Sequence, residues 1–360
     1  MTHVLCIGTS KGLFLATSRD DRRSWQIGAP HFPMAGVYAV GVDTSRATPR
    51  LLVGASSSHF GPSVATSDDL GATWQEPDVP PLAFPESAGA SVERVWQFAF
   101  SPTAPEVVYA GTQPSALFRS ADGGRSFELV SGLWDHPHRS SWGAGFGGQA
   151  IHTVLPHPHD PDQLLVAMST GGVYRSADAG ATWNPANKGI KAYFFPDPWP
   201  EFGQCVHKVA RDAGNPDRLY AQNHHGVYRS DNGGDSWDSI AAGLPTDFGF
   251  TMVAHRSTPG VLYTFPVEAD GRRYPPGYRC RVYRSTDAGA SWDMLSAGLP
   301  EGDYYPVVLR DAMCVDDSSP AGVYFGTRSG EVFGSADEGD SWSLIADHLP
   351  DVLCVRSFSV

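Results

Sequence analysis

The octapeptide SADAGATW, Ser176–Trp183, follows the short apolar run GVYRS and recurs along the whole chain. Further copies are SDDLGATW (Ser67–Trp74), SADGGRSF (Ser120–Phe127), SDNGGDSW (Ser230–Trp237), STDAGASW (Ser285–Trp292) and SADEGDSW (Ser335–Trp342). A worn copy, SRDDRRSW, opens the series at Ser18–Trp25. The copies start at 18, 67, 120, 176, 230, 285 and 335. That period of about fifty residues is in the range of propeller blades, and its even spread argues for one domain over residues 1–360.

The chemistry of the repeat explains its shape. Apolar and polar residues alternate before each copy, which is a strand signal. The Ser-x-Asp-x-Gly centre is a turn, because Asp bonds nearby backbone N–H groups and Gly accepts positive φ. The closing Trp or Phe starts the next strand and fills a gap between sheets. Asn232 replaces the Asp of one copy and Arg22 the first Gly of another, so those two turns are expected to be looser.

This octapeptide resembles the Asp-box (BNR) repeat of sialidase-like, glycosyl-hydrolase-like β-propellers, and the resemblance covers nearly the whole chain. It implies an all-β, seven-bladed propeller of four-stranded blades. Two further strands precede each copy. The first reads VYAVGV, VWQFAF, IHTVLP, VHKVAR, FTMVAH and AMCVDD in successive blades. The chain begins with a second strand, His3–Thr9, and ends with a first strand, Val352–Phe358. The terminal strand is therefore expected to complete the N-terminal blade, removing the open edges of a linear sheet.

Composition narrows the function. A formal net charge of −13 disfavours nucleic acid as a partner. No apolar run reaches transmembrane length, so no membrane role is expected. Five cysteines without a CxxC pair do not suggest a disulfide framework. No secretory signal is legible, and the expected location is cytoplasmic.

Because the octapeptides repeat in every blade, they are read as structural. Function is expected in the long loops at the mouth where the first strands begin. Two adjacent blades share an entry phrase there, GQAIH (Gly148–His152) and GQCVH (Gly203–His207). His152, His207, Glu201 and Asp311 are the candidate catalytic residues, since His changes charge near neutral pH and carboxylates serve glycoside chemistry. Gln149, Gln204, Asn223, His224, Arg94, Arg310, Tyr304, Trp96, Trp142 and Trp199 are the candidate ligand-binding residues. The same GQ-x-x-H phrase also reads as a loop-anchoring device.

Three functions follow from these residues. One is a propeller that binds or hydrolyses a small polar molecule, plausibly a carbohydrate. A second is a metal-dependent enzyme, with His152, His207 and His224 holding one divalent transition metal. The third is a non-catalytic scaffold. A typical sialidase is not expected: the early motif that supplies the first arginine of that family is replaced by TSKG at Thr9–Gly12.

Overall fold

The computed structural model describes residues 1–145, 148–269 and 271–360. It is an all-β, seven-bladed propeller. Six sheets have four strands each; the seventh, built on Ala35–Asp43, Arg50–Ser57 and Gly61–Ser67, has three. In that blade a single Thr66–Gln75 bridge stands where the fourth strand would run. The terminal strand Val352–Ser359 pairs antiparallel with His3–Thr9, so the C-terminus completes the first blade and closes the ring as expected.

The repeated turns are self-satisfied. In the Ser176–Trp183 copy, Ser176 Oγ donates to Asp178 Oδ1 (2.7 Å) and accepts from the Gly180 N–H (2.8 Å). Asp178 also accepts from the Thr182 N–H (2.8 Å) and hydroxyl (2.6 Å). The two worn copies keep this pattern, against the looser turns expected. Asn232 Oδ1 accepts from the Ser230 hydroxyl and the Ser236 N–H, while its amide donates to Ser236 Oγ. Arg22 adopts φ 67° and its N–H still reaches Ser18 Oγ at 2.9 Å. Its buried guanidinium lies 3.5 Å from Asp316 and donates to the Pro320 carbonyl, which offsets the roughly 1 kcal/mol cost of a left-handed residue.

The chain groups into two compact units. One holds 1–33, 188–199 and 207–360; the other holds 34–187 and 200–206. Each has its own apolar core. Trp342 packs with Phe325, Phe333 and Tyr324 in the first. Trp183 packs with Tyr174, Val166 and Leu164 in the second. The closing aromatic also wedges the chain of the preceding blade. A Cβ on Gly189, where φ is 98°, would lie 2.2 Å from the Trp237 carbonyl, so only glycine fits.

Bulges sort the mouth residues. The register of four first strands skips one residue each: Tyr38, Trp96, His152 and Leu353. A bulge leaves one residue out of the ladder and re-aims its side chain. These are the positions that align with one another in the sequence, so a two-residue periodicity would have misassigned them. The sixth blade departs further. Its first strand is only Val253–Ala254, shorter than the FTMVAH run suggested. Thr251 Oγ1 there accepts from the Phe265 N–H and the Thr264 hydroxyl donates to the Thr251 carbonyl, so side chains replace the missing ladder.

Candidate functional site

In the first unit, histidines and aromatic rings gather beside one exposed loop. His207 is 3% exposed, and its Nδ1 lies 2.6 Å from the Gly249 carbonyl. A carbonyl can only accept, so Nδ1 carries the proton and Nε2 the lone pair. Burial, followed by the positive charge of Arg310, holds the His207 pKa well below the usual imidazole value. The ring is therefore neutral at pH 7. It stacks on Phe250 (5.0 Å between centroids) and meets His224 at 5.7 Å. Phe248 contacts both imidazoles, and the Arg273 guanidinium lies over Phe250 at 5.6 Å.

His224 and His225 continue this row to the loop at 191–199. Phe194 packs on both imidazoles and Tyr193 on His225. The Tyr193 N–H also donates to His225 Nδ1. Lys191 lies over the rings of Tyr193 (5.2 Å) and Trp199 (5.4 Å). Asn223, fully buried, anchors the loop by donating to the carbonyls of Lys191 and His225. Despite this support the loop presents its rings to solvent: Tyr193, Phe194, Phe195 and Trp199 are 58%, 48%, 41% and 50% exposed.

Other expected site residues have different surroundings. His152 is fully buried; its Nε2 faces the Val206 carbonyl at 2.8 Å and its Nδ1 the Thr153 hydroxyl at 3.1 Å. Gln149 donates to the Trp142 carbonyl and Gln204 to the Pro200 carbonyl. Both GQ-x-x-H phrases thus tie loop carbonyls in place, as the anchoring reading supposed. Of the three histidines expected to share a metal, His152 has both ring nitrogens engaged inside the second unit, whereas His207 and His224 adjoin in the first.

Asp311 is 2% exposed, and its Oδ1 accepts from Lys208 Nζ (2.7 Å) and from Arg356 Nη2 (2.6 Å). Burial pushes its pKa up, but the two cations outweigh burial and hold it below the usual carboxylate value. Since Arg356 belongs to the closing strand and the Val355 N–H donates to the Asp311 carbonyl, Asp311 fastens the ring closure. Its neighbour Arg310 contributes positive charge near Lys208 as well as near His207. Tyr304 is buried and donates to Glu331 Oε2 at 2.8 Å.

In the second unit, Trp142 is buried and donates from Nε1 to the Tyr174 hydroxyl (2.9 Å). Glu201 is exposed, and its backbone carbonyl accepts from Asn187. Arg94 lies over Tyr38 at 4.6 Å and over Trp96 at 5.8 Å. Trp96 donates to Gln113 Oε1, and Gln113 donates to Glu93. Sequence reasoning did not single out Tyr193, Phe194, Phe248 or Phe250. The YFF run at Tyr193–Phe195 was the available signal, since three consecutive aromatics cannot all face a core from a loop.

The class these features define is a seven-bladed β-propeller with an exposed aromatic loop beside paired histidines. No family model matches the chain. A xyloglucanase from a Paenibacillus species is 30% identical over 210 residues, covering 57% of this chain and 17% of that protein. The chain spans less than a third of the length of the curated xyloglucanases it matches. Among solved structures, an ancestral GH74 enzyme superposes with a TM-score of 0.57 at 21% identity, covering 88% of this chain and 39% of that one. YCF48 bound to D1 peptide superposes with a TM-score of 0.55 at 14% identity, covering 86% and 82%. At these identities the two structures establish the shared fold.

Proposed function

We propose that this chain is a carbohydrate-active propeller that binds a saccharide on the 191–199 loop beside His207 and His224. The observation that carries this reading is the exposure of Tyr193, Phe194, Phe195 and Trp199 on an anchored loop. Clustered exposed aromatics are costly unless something covers them. Aromatic faces suit the C–H faces of sugar rings, and the adjoining imidazoles offer polar groups to hydroxyls. The xyloglucanase relatives support the same ligand class, and the octapeptides support placing the chain among Asp-box propellers.

The exposed loop supports binding in the first place, and Asp311 is not available as a catalytic carboxylate. Glycoside hydrolysis normally uses two carboxylates at a controlled separation. Asp311 is held by two cations, Asp351 by Arg328 at 2.9 Å, and Asp197 accepts from the Trp199 N–H at 2.9 Å. The five cysteines are all free and buried, which supports the reading of a cytoplasmic protein.

Affinity electrophoresis through gels containing soluble xyloglucan, other β-glucans or mannans tests the reading, with reducing-end release measured in parallel. Retardation by at least one polysaccharide without release of reducing ends is expected. Unchanged mobility in every gel would overturn saccharide binding; release of reducing ends would turn the binder into a hydrolase.

A further inference from the structure

A second aromatic surface lies in the same unit. Tyr274, Tyr278 and Tyr305 are 41%, 40% and 49% exposed, and their rings contact one another at centroid distances of 5.2–6.0 Å. The backbone holds them in place. The Tyr304 N–H donates to the Tyr278 carbonyl, the Glu268 N–H to the Tyr274 carbonyl, and the Tyr278 N–H to the Pro275 carbonyl. Pro275 and Pro276 stiffen the segment between the first two rings. A rigid aromatic trio binds with little loss of conformational entropy, because each tyrosine has few rotatable bonds.

The backbone links the trio to the histidine site: the Val267 N–H donates to the Phe248 carbonyl and the Glu268 N–H to the Tyr274 carbonyl, and Phe248 contacts His207. From His207 the contacts run through His224 to Phe194. Two ion pairs stand beside the tyrosines: Arg272 with Glu268 at 3.3 Å and Arg279 with Asp303 at 3.7 Å. Charges paired in this way, beside hydroxyl-tipped rings, fit an uncharged, hydroxyl-rich ligand.

We propose that Tyr274, Tyr278 and Tyr305 form a second saccharide-stacking surface. The ligand is then an uncharged oligosaccharide or polysaccharide chain that touches both aromatic surfaces, rather than a single sugar. This inference rests on the saccharide reading of the 191–199 loop. The tyrosines add length selectivity to that site.

The test compares the wild-type chain with Tyr274→Ala/Tyr305→Ala and with Trp199→Ala, titrated by calorimetry with soluble xyloglucan and with cellobiose. The tyrosine pair lies on the surface, and circular dichroism with thermal melting verifies folding. The double alanine variant is expected to bind the polysaccharide about tenfold or more weakly while keeping the wild-type response to cellobiose, since each lost stacking contact is worth roughly a factor of ten. Trp199→Ala is expected to weaken both. Tyr274→Phe/Tyr305→Phe, which keeps the faces, is expected to retain polysaccharide binding. Unchanged polysaccharide affinity in the double alanine variant, with Trp199→Ala impaired, would overturn the second surface and leave the first. A wild-type chain that binds neither probe, and no polysaccharide in the gels, would overturn both.

Discussion

Two clusters of tryptophan, tyrosine, phenylalanine and histidine come from long loops of this propeller, and they have opposite fates. In the second unit, Trp142 stacks with His136 and donates to the Tyr174 hydroxyl, while His138 stacks on Phe202 at 4.0 Å. Trp142 is 5% exposed. In the first unit, Tyr193, Phe194 and Trp199 gather around Lys191 and His225 but stay in solvent. Composition does not separate the two. The difference is whether neighbouring protein supplies both the apolar cover and the hydrogen-bond partner for each polar tip. Where it does, the cluster is core; where it does not, the cluster is a surface with capacity for a ligand.

The comparison makes a double prediction. Trp142→Ala opens a cavity and removes one partner of the Tyr174 hydroxyl, leaving His138 Nδ1 at 3.0 Å as the other, so denaturant unfolding should show a loss of about 3–5 kcal/mol with polysaccharide retardation unchanged. A loss of retardation in a folded Trp142→Ala protein would mean that the sealed cluster also reaches the ligand. The smaller stability effect belongs to Trp199→Ala. Half-exposed Trp199 should cost no more than about 0.5 kcal/mol on unfolding, yet its loss should weaken retardation. A large destabilisation there would make the exposed loop a structural element.

The weakest effect is expected from pH, and it separates both clusters from the repeated turns. Hydrogen bonds from Ser24, Thr73, Thr182 and Ser291, first from the side chain and then from the backbone N–H, hold Asp20, Asp69, Asp178 and Asp287 at pKa values of about 2. An unfolded Asp titrates near 3.9. The folded value is depressed, so this stabilisation is fully present above about pH 4 and is lost as pH falls through about 2. Unfolding midpoints should decline across that window. His207 is neutral from pH 6 to 8 and should contribute no step to saccharide binding there, so a His207→Gln variant that still binds should show the wild-type pH profile over that range.

The repeat was legible because local chemistry writes it. Ser, Asp and Gly at fixed spacing satisfy one another within eight residues, so neither neighbouring blades nor solvent can change the outcome. Even the substitutions at Asn232 and Arg22 keep the pattern, since an amide oxygen accepts as a carboxylate does and an ion pair holds the strained arginine. The closing strand was also legible, because an orphan first strand at one end and a missing one at the other leave a single pairing that removes both edges.

The site was legible only in part. His207, His224, Asn223 and Trp199 gather as the sequence suggested, whereas Asp311 is engaged by Lys208, 103 positions away in the chain, and Tyr304 by Glu331, 27 positions away. Such pairings depend on which blades meet, and no local pattern encodes that. Sequence by itself determined the repeat and the blade count, because both follow from hydrogen bonds and apolar periods between near neighbours, and the closure, because the two terminal strands each lacked a partner. Tertiary structure alone decided which histidine anchors a loop, which carboxylate is neutralised and which aromatic ring is left in water, because burial is a property of what packs on a residue from elsewhere in the chain.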